Sequence, residues 1–275
     1  MQIHIGLPSR GRPLDMVASA VSLFRLASGA HDVRVNLAID NDDNDNMHFA
    51  GFLWGRTQGQ AQVWQNERPL GLGDLHNAMA AHAPEDAAFM LWSDRLHVIT
   101  PGWDQVLALA CMQFPKRVLW LDSVHLQGAG QFILPPAWRA AQGAPCPGLY
   151  PAWFEDTAVE EMDAFVHGFP RVAIDAKCAG ARKLPTHRLR DLPFWIELFA
   201  ATRPQRIEES RRIADALGMK WQPRLQEADY FLKRDRSFLG RAEQLERECG
   251  DPGPADETYL AAKARAEAIM TGLRS

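Results

Sequence analysis

Short apolar runs alternate with segments of helical periodicity over the first 121 residues of the chain. Each run is too short for a free-standing helix, so we expect strands at residues 3–7, 33–39, 61–64, 87–92 and 117–121. Apolar positions recur about every 3.6 residues after Pro13, and further helices are predicted at residues 71–82 and 103–113. This alternation predicts an α/β fold with a mixed, mostly parallel sheet flanked by helices.

The pattern changes after Asp122. Residues 131–134 predict an edge strand, residues 142–151 are rich in Gly and Pro and predict a loop, and residues 172–174 predict a short strand. Residues 41–46 are polar and predict a loop outside the core. Helices are predicted at residues 155–166, 194–201, 206–217, 237–248 and 257–273. The chain is therefore expected to end in a series of helices.

The composition is that of an ordinary globular protein without a membrane span. No apolar stretch of the 275 residues approaches the roughly 20 residues that cross a bilayer. Met1 leads almost directly into a predicted strand, so we expect no signal peptide. The cysteines are far apart and lack Cys-x-x-Cys spacing: Cys111, Cys146, Cys178 and Cys249. Their spacing favours reduced thiols and a cytoplasmic location.

The charge of the chain is unevenly distributed. The formal net charge is -4, but residues 171–247 carry 17 Lys and Arg against 11 Asp and Glu, a balance of +6, so the remaining residues carry -10. A positive segment of this kind is a candidate surface for a polyanion. A solvated helical face is the commoner explanation, and we favour it over the polyanion surface.

Polar side chains gather where the predicted strands end. The loops after the first, second and fourth strands carry Ser9, Arg10, Arg12, Asp40, Asp42, Asp94 and Arg95. Asp74 and Asn77 stand near the start of the helix after the third strand, where Asp74 also has the purely structural option of opposing the helix dipole. Ligands of open α/β sheets bind at the carboxyl ends of the strands, and a planar guanidinium binds phosphate through two parallel hydrogen bonds. Arg10 or Arg12 is therefore a candidate partner for a phosphate at this edge, and a basic turn without a ligand is the alternative.

Signatures of several other ligand sites are missing. The sequence has no G-x-G-x-x-G fingerprint, no G-x-x-x-x-G-K-[ST] phosphate loop and no H-E-x-x-H zinc motif. The acidic run at residues 41–45 lacks the Gly and the distal Glu of an EF-hand, which argues against calcium. A Rossmann dinucleotide fold and a P-loop nucleotide hydrolase are therefore disfavoured.

Two segments resemble the GT-A glycosyltransferases of the large family-2 group. The first is Ala87–Arg95 with the following Thr100-Pro101-Gly102-Trp103-Asp104, because the family's fourth strand ends in a metal-binding Asp-x-Asp or Asp-Asp and a similar turn often follows. The second is Trp153-Phe154-Glu155-Asp156-Thr157, which is similar to the x-Glu-Asp motif of inverting members. The resemblance covers about residues 2–190. It implies a GT-A domain over residues 1–190 and a helical C-terminal extension over residues 191–275.

The resemblance implies a hexosyl- or pentosyltransferase that uses a nucleotide-sugar donor, most often a UDP-sugar, and inverts the anomeric centre. Asp156 is then the general base that takes the proton of the acceptor hydroxyl, and Glu155 is its companion. A carboxylate at a helix N-terminus stays ionised because the helix dipole favours the anion. The donor-binding residues that the resemblance implies are Pro8, Ser9, Arg10, Arg12, Asp40, Asp42, Asp74, Asn77, Asp94 and Arg95.

The cofactor that the resemblance implies is a divalent ion, Mn²⁺ or Mg²⁺, held by Asp94 and by His187 from a C-terminal loop. The chain departs from the family pattern at Arg95, where many relatives have a second Asp. Two alternatives remain open at this point. Either Asp94 and His187 hold the ion, or Arg95 stands near the diphosphate and supplies part of the positive charge.

The acceptor also has alternatives. A glycan or small molecule is expected first, and a hydroxylated base of DNA, as in phage-type modifying enzymes, is the second candidate because residues 171–247 are positively charged. A base within duplex DNA would have to be flipped out. A catalytically degenerate GT-A protein that binds a nucleotide or glycan is the alternative to an enzyme. A related nucleotidyltransferase is disfavoured, because residues 8–12 match its Gly-rich basic signature poorly.

Overall fold

The computed structural model describes residues 1–67, 71–123, 131–146, 154–166, 170–178, 191–221, 235–241, 243–244, 247, 255 and 257–274. The strands are β1 (Gln2–Ser9), β2 (Asp32–Asp40), β3 (Ala61–Asn66), β4 (Ala88–Leu91), β5 (Leu96–Val98), β6 (Leu119–Leu121), β7 (Phe132–Leu134), β8 (Arg171–Val172) and β9 (Ala176–Cys178). The helices are α1 (Pro13–Leu26), α2 (Asn44–Arg56), α3 (Leu72–His82), α4 (Trp103–Gln113), α5 (Pro136–Gln142), α6 (Glu155–Val166), α7 (Leu192–Ala201), α8 (Arg203–Ala216) and α9 (Glu257–Arg274).

The main sheet of the described residues is mixed and mostly parallel, as predicted. Its order is β3-β2-β1-β4-β7-β6-β8, and β3, β2, β1 and β4 run parallel to one another. β7 is antiparallel to both β4 and β6. The prediction of an edge strand at residues 131–134 was therefore wrong: the strand is interior and buried, because it inserts between β4 and β6, which both precede it in the sequence.

Helices cover both faces of the sheet. Successive side chains of a strand point to opposite faces, and β4 shows this directly. Ala88 and Met90 belong to a core shared with α1, α2 and α4, whereas Phe89 and Leu91 belong to a second core shared with α3, α5, α6 and α8. A strand buried on both faces explains why this stretch is continuously apolar.

The polar run at residues 41–46 is not the predicted loop. α2 begins at Asn44, and the Asp43 side chain accepts a hydrogen bond from the backbone N–H of Asn46 at 3.2 Å, as an N-cap residue does. Asn46 itself is fully buried. The described structure also contains α5 and the two-stranded pair β5–β9, neither of which was predicted.

The Pro-Gly-Trp-Asp turn joins two helices. Gly102 has a φ of +66°, a left-handed conformation that favours glycine. The Trp103 indole donates to the backbone carbonyl of Leu23 at 2.9 Å. Buried Asp104 accepts from the backbone N–H of Ser28 at 2.7 Å and from its hydroxyl at 2.6 Å. In this structure the turn fastens the start of α4 to the end of α1.

The C-terminal helices pack against the α/β layers. Glu161 of α6 is fully buried and forms ion pairs with Arg206 of α8 and, at 3.1 Å, with Arg203. α7 and α9 share a third apolar cluster with Phe154, the residue before α6. None of the helices in the described residues is both long enough and apolar enough to cross a membrane. The domain boundary at residue 190 stays a prediction.

Candidate active site

The carboxyl ends of β1, β2 and β4 meet at one edge of the sheet. Ser9, the last residue of β1, lies opposite Ile39 of β2, and Gly6 of β1 lies opposite Leu91, the last residue of β4. The chain therefore brings the loops after residues 9, 40 and 91 together. This edge is where open α/β sheets bind ligands.

Arg10 joins the first two of these loops. Its Nη1 donates to Asp40 Oδ2 at 2.6 Å and to Asp42 Oδ1 at 2.7 Å, and its Nη2 donates to Asp42 Oδ2 at 3.1 Å. The hydrogen bond to Asp42 raises the pKa of the Arg10 guanidinium most, and the contact with Asp40 raises it further. The backbone N–H of Gly11 donates to Asp43 at 2.7 Å. One cluster of ion pairs thus contains three of the residues predicted to bind the sugar donor: Arg10, Asp40 and Asp42.

Asp94 lies buried behind this cluster. Its Oδ2 accepts from the Ser9 hydroxyl at 2.8 Å and lies 3.1 Å from Nε of Arg12. Ser9 in turn accepts from the Asn46 side-chain amide at 2.9 Å. Burial raises the pKa of the Asp94 carboxyl, while Arg12 and Ser9 act against that rise. Ser9 and Arg12, predicted from the loop after the first strand, are thus both in contact with Asp94, predicted from the end of the fourth.

The described residues around Asp94 fit a guanidinium better than a divalent ion. Oδ2 of Asp94 already has Arg12 and Ser9 as neighbours. The part of the chain that the structure describes contains no group of three or more His, Cys, Asp or Glu side chains that could hold a metal. Arg95, which follows Asp94, donates its backbone N–H to the Ser93 hydroxyl at 3.3 Å.

His187, the predicted second metal ligand, lies outside the described residues. The chain that leads to it leaves the described structure beside Asp94, because Cys178 of β9 pairs with Leu96 of β5. Leu96 is two residues from Asp94, and Cys178 is nine residues before His187. Nine residues span up to about 30 Å when extended, which permits an approach to Asp94. The contact itself stays a prediction.

A second group of carboxylates surrounds the start of α6. Buried Glu155 accepts at Oε1 from the backbone N–H of Gly73 at 2.9 Å, which satisfies an N-terminal donor of α3 and places a negative charge at that helix end. Asp156 accepts from the backbone N–H of Thr157 at 2.8 Å. Burial raises the pKa of Cys146, and Glu155, Asp156 and Asp74 raise it further, so these carboxylates lie around one buried thiol.

Phe154 introduces α6 with a strained backbone. Its φ is +68°, which is a rare conformation for a bulky side chain. The residue is buried and stacks on Phe199 of α7, with ring centroids 4.8 Å apart. Strain of this kind persists only where the surrounding packing imposes it, and it concentrates at functional sites. The packing of α7 therefore fixes the direction in which Glu155 and Asp156 leave the loop.

Asp74 and Asn77 have structural partners in this structure. Asn77 donates to the backbone carbonyl of Cys146 at 3.0 Å and accepts from its N–H at 2.8 Å. Asp74 pairs with Arg265 of α9 at 2.7 Å. Their predicted contact with a donor nucleotide stays a prediction.

Sequence reasoning missed Asn46, Gly73 and Phe154. Asn46 lay in a run interpreted as a solvated loop, and Gly73 was read only as part of a helix start. Phe154 was recognised only as part of a motif, because the residues around it do not predict a positive φ. Each of these residues acts through a contact distant in sequence or through tertiary strain.

Gly73→Ala is expected to lower the free energy of unfolding by about 1–2 kcal/mol. A Cβ at this position would lie 2.8 Å from Glu155 Oε1 and 3.2 Å from Cys146 Cβ, so Glu155 has to shift. Overpacking costs about 1–3 kcal/mol, and the helix propensity of Ala returns about 0.5–1 kcal/mol. Urea unfolding measures the difference. Gly51→Ala in α2, where a Cβ meets nothing within 4 Å, is the matched control; equal stability of the two variants would contradict the expected clash.

Comparison with known proteins supports the fold. No protein-family model matches the sequence, and no curated protein matches it. Among solved structures, S. aureus TarS 1-349 in complex with UDP has a TM-score of 0.54 and 11% identity, with 99% of this chain and 92% of that chain covered. GalNAc-T7 with UDP, GalNAc and Mn²⁺ has a TM-score of 0.60 and 10% identity, with 88% and 57% covered.

A third solved structure is the mannosyltransferase PcManGT from Pyrobaculum calidifontis with GDP-Man and Mn²⁺, at a TM-score of 0.53 and 13% identity, with 99% and 81% covered. The chain spans 54% of the longer TarS structure. At these identities the likeness shows the fold. The expected GT-A fold, a mixed and mostly parallel sheet flanked by helices, is confirmed.

Proposed function

We propose that the protein transfers a sugar from a nucleotide-sugar donor to an acceptor hydroxyl. The observation that carries the proposal is the meeting of the loops after β1, β2 and β4, where Arg10, Arg12 and Asp94 lie at the ligand-binding edge of a GT-A fold. TarS and PcManGT, which share the fold, have been solved with UDP-GlcNAc and GDP-Man. The proposed donor is a nucleoside diphosphate sugar, with a UDP-sugar as the first candidate.

The loop of residues 8–12 and Asp40 would hold the nucleoside. Arg10 already engages Asp40, so a bound ribose or base joins an existing ion pair rather than an open carboxylate. Arg12, Ser9 and Asp94 would face the diphosphate. Mn²⁺ or Mg²⁺, which the family resemblance implies, would add positive charge at the diphosphate if Asp94 and His187 held it.

Asp156 would act as the general base of an inverting reaction. The acceptor oxygen forms a bond to the anomeric carbon as its proton passes to an Asp156 carboxylate oxygen. The bond from the anomeric carbon to the β-phosphate oxygen breaks, and the nucleoside diphosphate leaves with the electron pair. Asp156 lies in the first turn of α6, where the helix dipole favours its ionised form. Glu155, held by Gly73, would fix the position of this turn.

A glycan or small molecule is the favoured acceptor, and a hydroxylated DNA base is the second candidate. Binding of a polyanionic acceptor falls steeply with salt, whereas binding of a neutral glycan does not. A protein that binds nucleotide without turnover is the alternative to an enzyme. Both alternatives bind the nucleotide, so only an assay of sugar transfer separates the enzyme from the binding protein.

The test of the proposal is a thermal-shift panel of UDP, GDP, CDP and TDP, each in EDTA and in Mn²⁺. A ligand at 100 times its Kd stabilises the native state by about 2.7 kcal/mol, which corresponds to a rise of roughly 5 °C or more for a chain of this size. We expect this rise for one nucleotide, with UDP the leading candidate. The absence of a shift with all four would contradict the proposed function.

A further inference from the structure

Arg12 presents an unused edge of its guanidinium to solvent. Its closest approach to Asp94 is through Nε, at 3.1 Å, and its side chain is 45% exposed while that of Asp94 is 2% exposed. Among the described residues no acceptor contacts the terminal nitrogens of Arg12. Arg10, two residues earlier, spends both terminal nitrogens on Asp40 and Asp42. The terminal nitrogens of Arg10 are therefore already paired with carboxylates, whereas those of Arg12 are available to a ligand.

The carboxylate beneath Arg12 is held by a chain of buried hydrogen bonds. Asn46 donates to the Ser9 hydroxyl at 2.9 Å, and Ser9 donates to Asp94 at 2.8 Å. All three residues are less than a tenth exposed. Because Ser9 has one proton and receives a hydrogen bond from Asn46, its own proton goes to Asp94. The carboxylate is thereby oriented before any ligand binds, and it sets the position of Arg12.

We propose that Arg12 binds the donor diphosphate and that Asp94 positions Arg12 rather than ligating a metal ion. The inference rests on the proposed function. The free edge of a planar guanidinium accepts two phosphate oxygens at once. A fixed positive charge also stabilises the negative charge that builds on the leaving diphosphate, and its fixed geometry needs no reorganisation during the reaction.

The same geometry opposes a metal at Asp94. A divalent ion on the Asp94 oxygen that Arg12 approaches would lie close to the guanidinium, and like charges at such short distances repel each other strongly in a partly buried site. The position after Asp94 is also basic, since it is Arg95. Donor binding by this chain is therefore expected to proceed without a divalent ion.

The test is calorimetric titration of UDP, uridine and inorganic pyrophosphate into the full chain, in EDTA and in Mn²⁺. We expect the wild type to bind UDP in EDTA within about threefold of its affinity in Mn²⁺. Arg12→Ala is expected to weaken UDP and pyrophosphate by roughly 10- to 100-fold, the effect of a lost charge-assisted hydrogen bond, and to leave uridine unchanged. Arg25→Ala replaces an exposed arginine in the last turn of α1, the helix that follows Arg12; it is the matched control and is expected to change none of these affinities.

Asp94→Asn tests the positioning role, because it keeps Arg12 and removes the charge that holds it. It is expected to weaken UDP binding and to spare uridine. Arg12→Lys is expected to bind UDP more tightly than Arg12→Ala does but less tightly than the wild type, since lysine keeps the charge and lacks the planar pair of donors. If Arg12→Ala fails to fold because Asp94 is left unpaired, the double variant Arg12→Ala with Asp94→Asn removes both charges and carries the same comparison.

Three results would overturn the inference. UDP binding that requires Mn²⁺ would do so and leave the proposed function standing. An equal change of affinity for UDP and uridine on Arg12→Ala would show that the residue acts only through structure. Failure of the wild type to bind pyrophosphate and every one of UDP, GDP, CDP and TDP would overturn the proposed function and this inference with it.

Discussion

Asp156→Asn is expected to lower the rate of sugar transfer by about 100- to 10,000-fold, the usual contribution of a positioned general base. The amide is nearly isosteric, so it retains the hydrogen bond that the carboxylate accepts from the backbone N–H of Thr157 at 2.8 Å. It cannot take a proton from the acceptor hydroxyl. The affinity for the donor nucleotide is expected to stay within about twofold, because the proposed role of Asp156 is on the acceptor.

The measurement is the release of nucleoside diphosphate per enzyme and second at saturating donor and acceptor. Calorimetric titration with the nucleotide runs in parallel. Glu160→Gln, one turn along the same helix, is the control and is expected to retain activity. An Asp156→Asn protein with full transfer activity would show that the assigned base is wrong. A parallel loss of nucleotide affinity would place Asp156 in the donor site instead.

Glu161→Gln is expected to lower the free energy of unfolding by about 3–5 kcal/mol, the cost of breaking a buried pair from one side. Arg206 is 1% exposed and lies 3.8 Å above the Phe199 ring, so its charge cannot move into solvent. Glu161 also pairs with Arg203 at 3.1 Å. The substitution removes the carboxylate that both guanidiniums share.

Urea unfolding followed by circular dichroism measures this loss. Glu208→Gln is the control because it breaks an exposed pair with Arg211 within α8, and its expected effect is below about 1 kcal/mol. An equal loss in the two variants would show that the buried pair contributes no more to the free energy of unfolding than a surface pair does. If the Glu161→Gln protein still folds and binds the nucleotide normally, then the contact of α8 with α6 stabilises the fold without affecting the donor site.

The parts of the fold that the sequence predicted are those with strong local patterns. The helix predicted at residues 103–113 matches α4, and the apolar run at residues 87–92 contains β4. α2 escaped prediction because its first turn is wholly polar and its exposed face carries Phe52 and Trp54, which weakens the helical pattern. β7 was predicted at an edge because the sequence of its three residues does not show which strands pair with it on either side.

The candidate site follows the same division. The carboxylates at strand ends could be located because the edge of an α/β sheet follows from the order of its strands. The ion pair of Arg12 with Asp94 spans 82 positions, so only the folded chain reveals that Arg12 approaches the carboxylate. The positive φ of Phe154 likewise comes from packing against α7 and has no local signature.

The order of strands in the sheet has a consequence for synthesis of the chain. β3, β2, β1 and β4 are neighbours and all lie within residues 2–91, so the ribosome delivers four adjoining parallel strands in one continuous stretch. β7, which covers the open side of β4, follows about 40 residues later, or roughly 2–8 s at ordinary elongation rates. During that interval the nascent chain exposes an apolar strand edge, and this window is where protection by a chaperone would matter most.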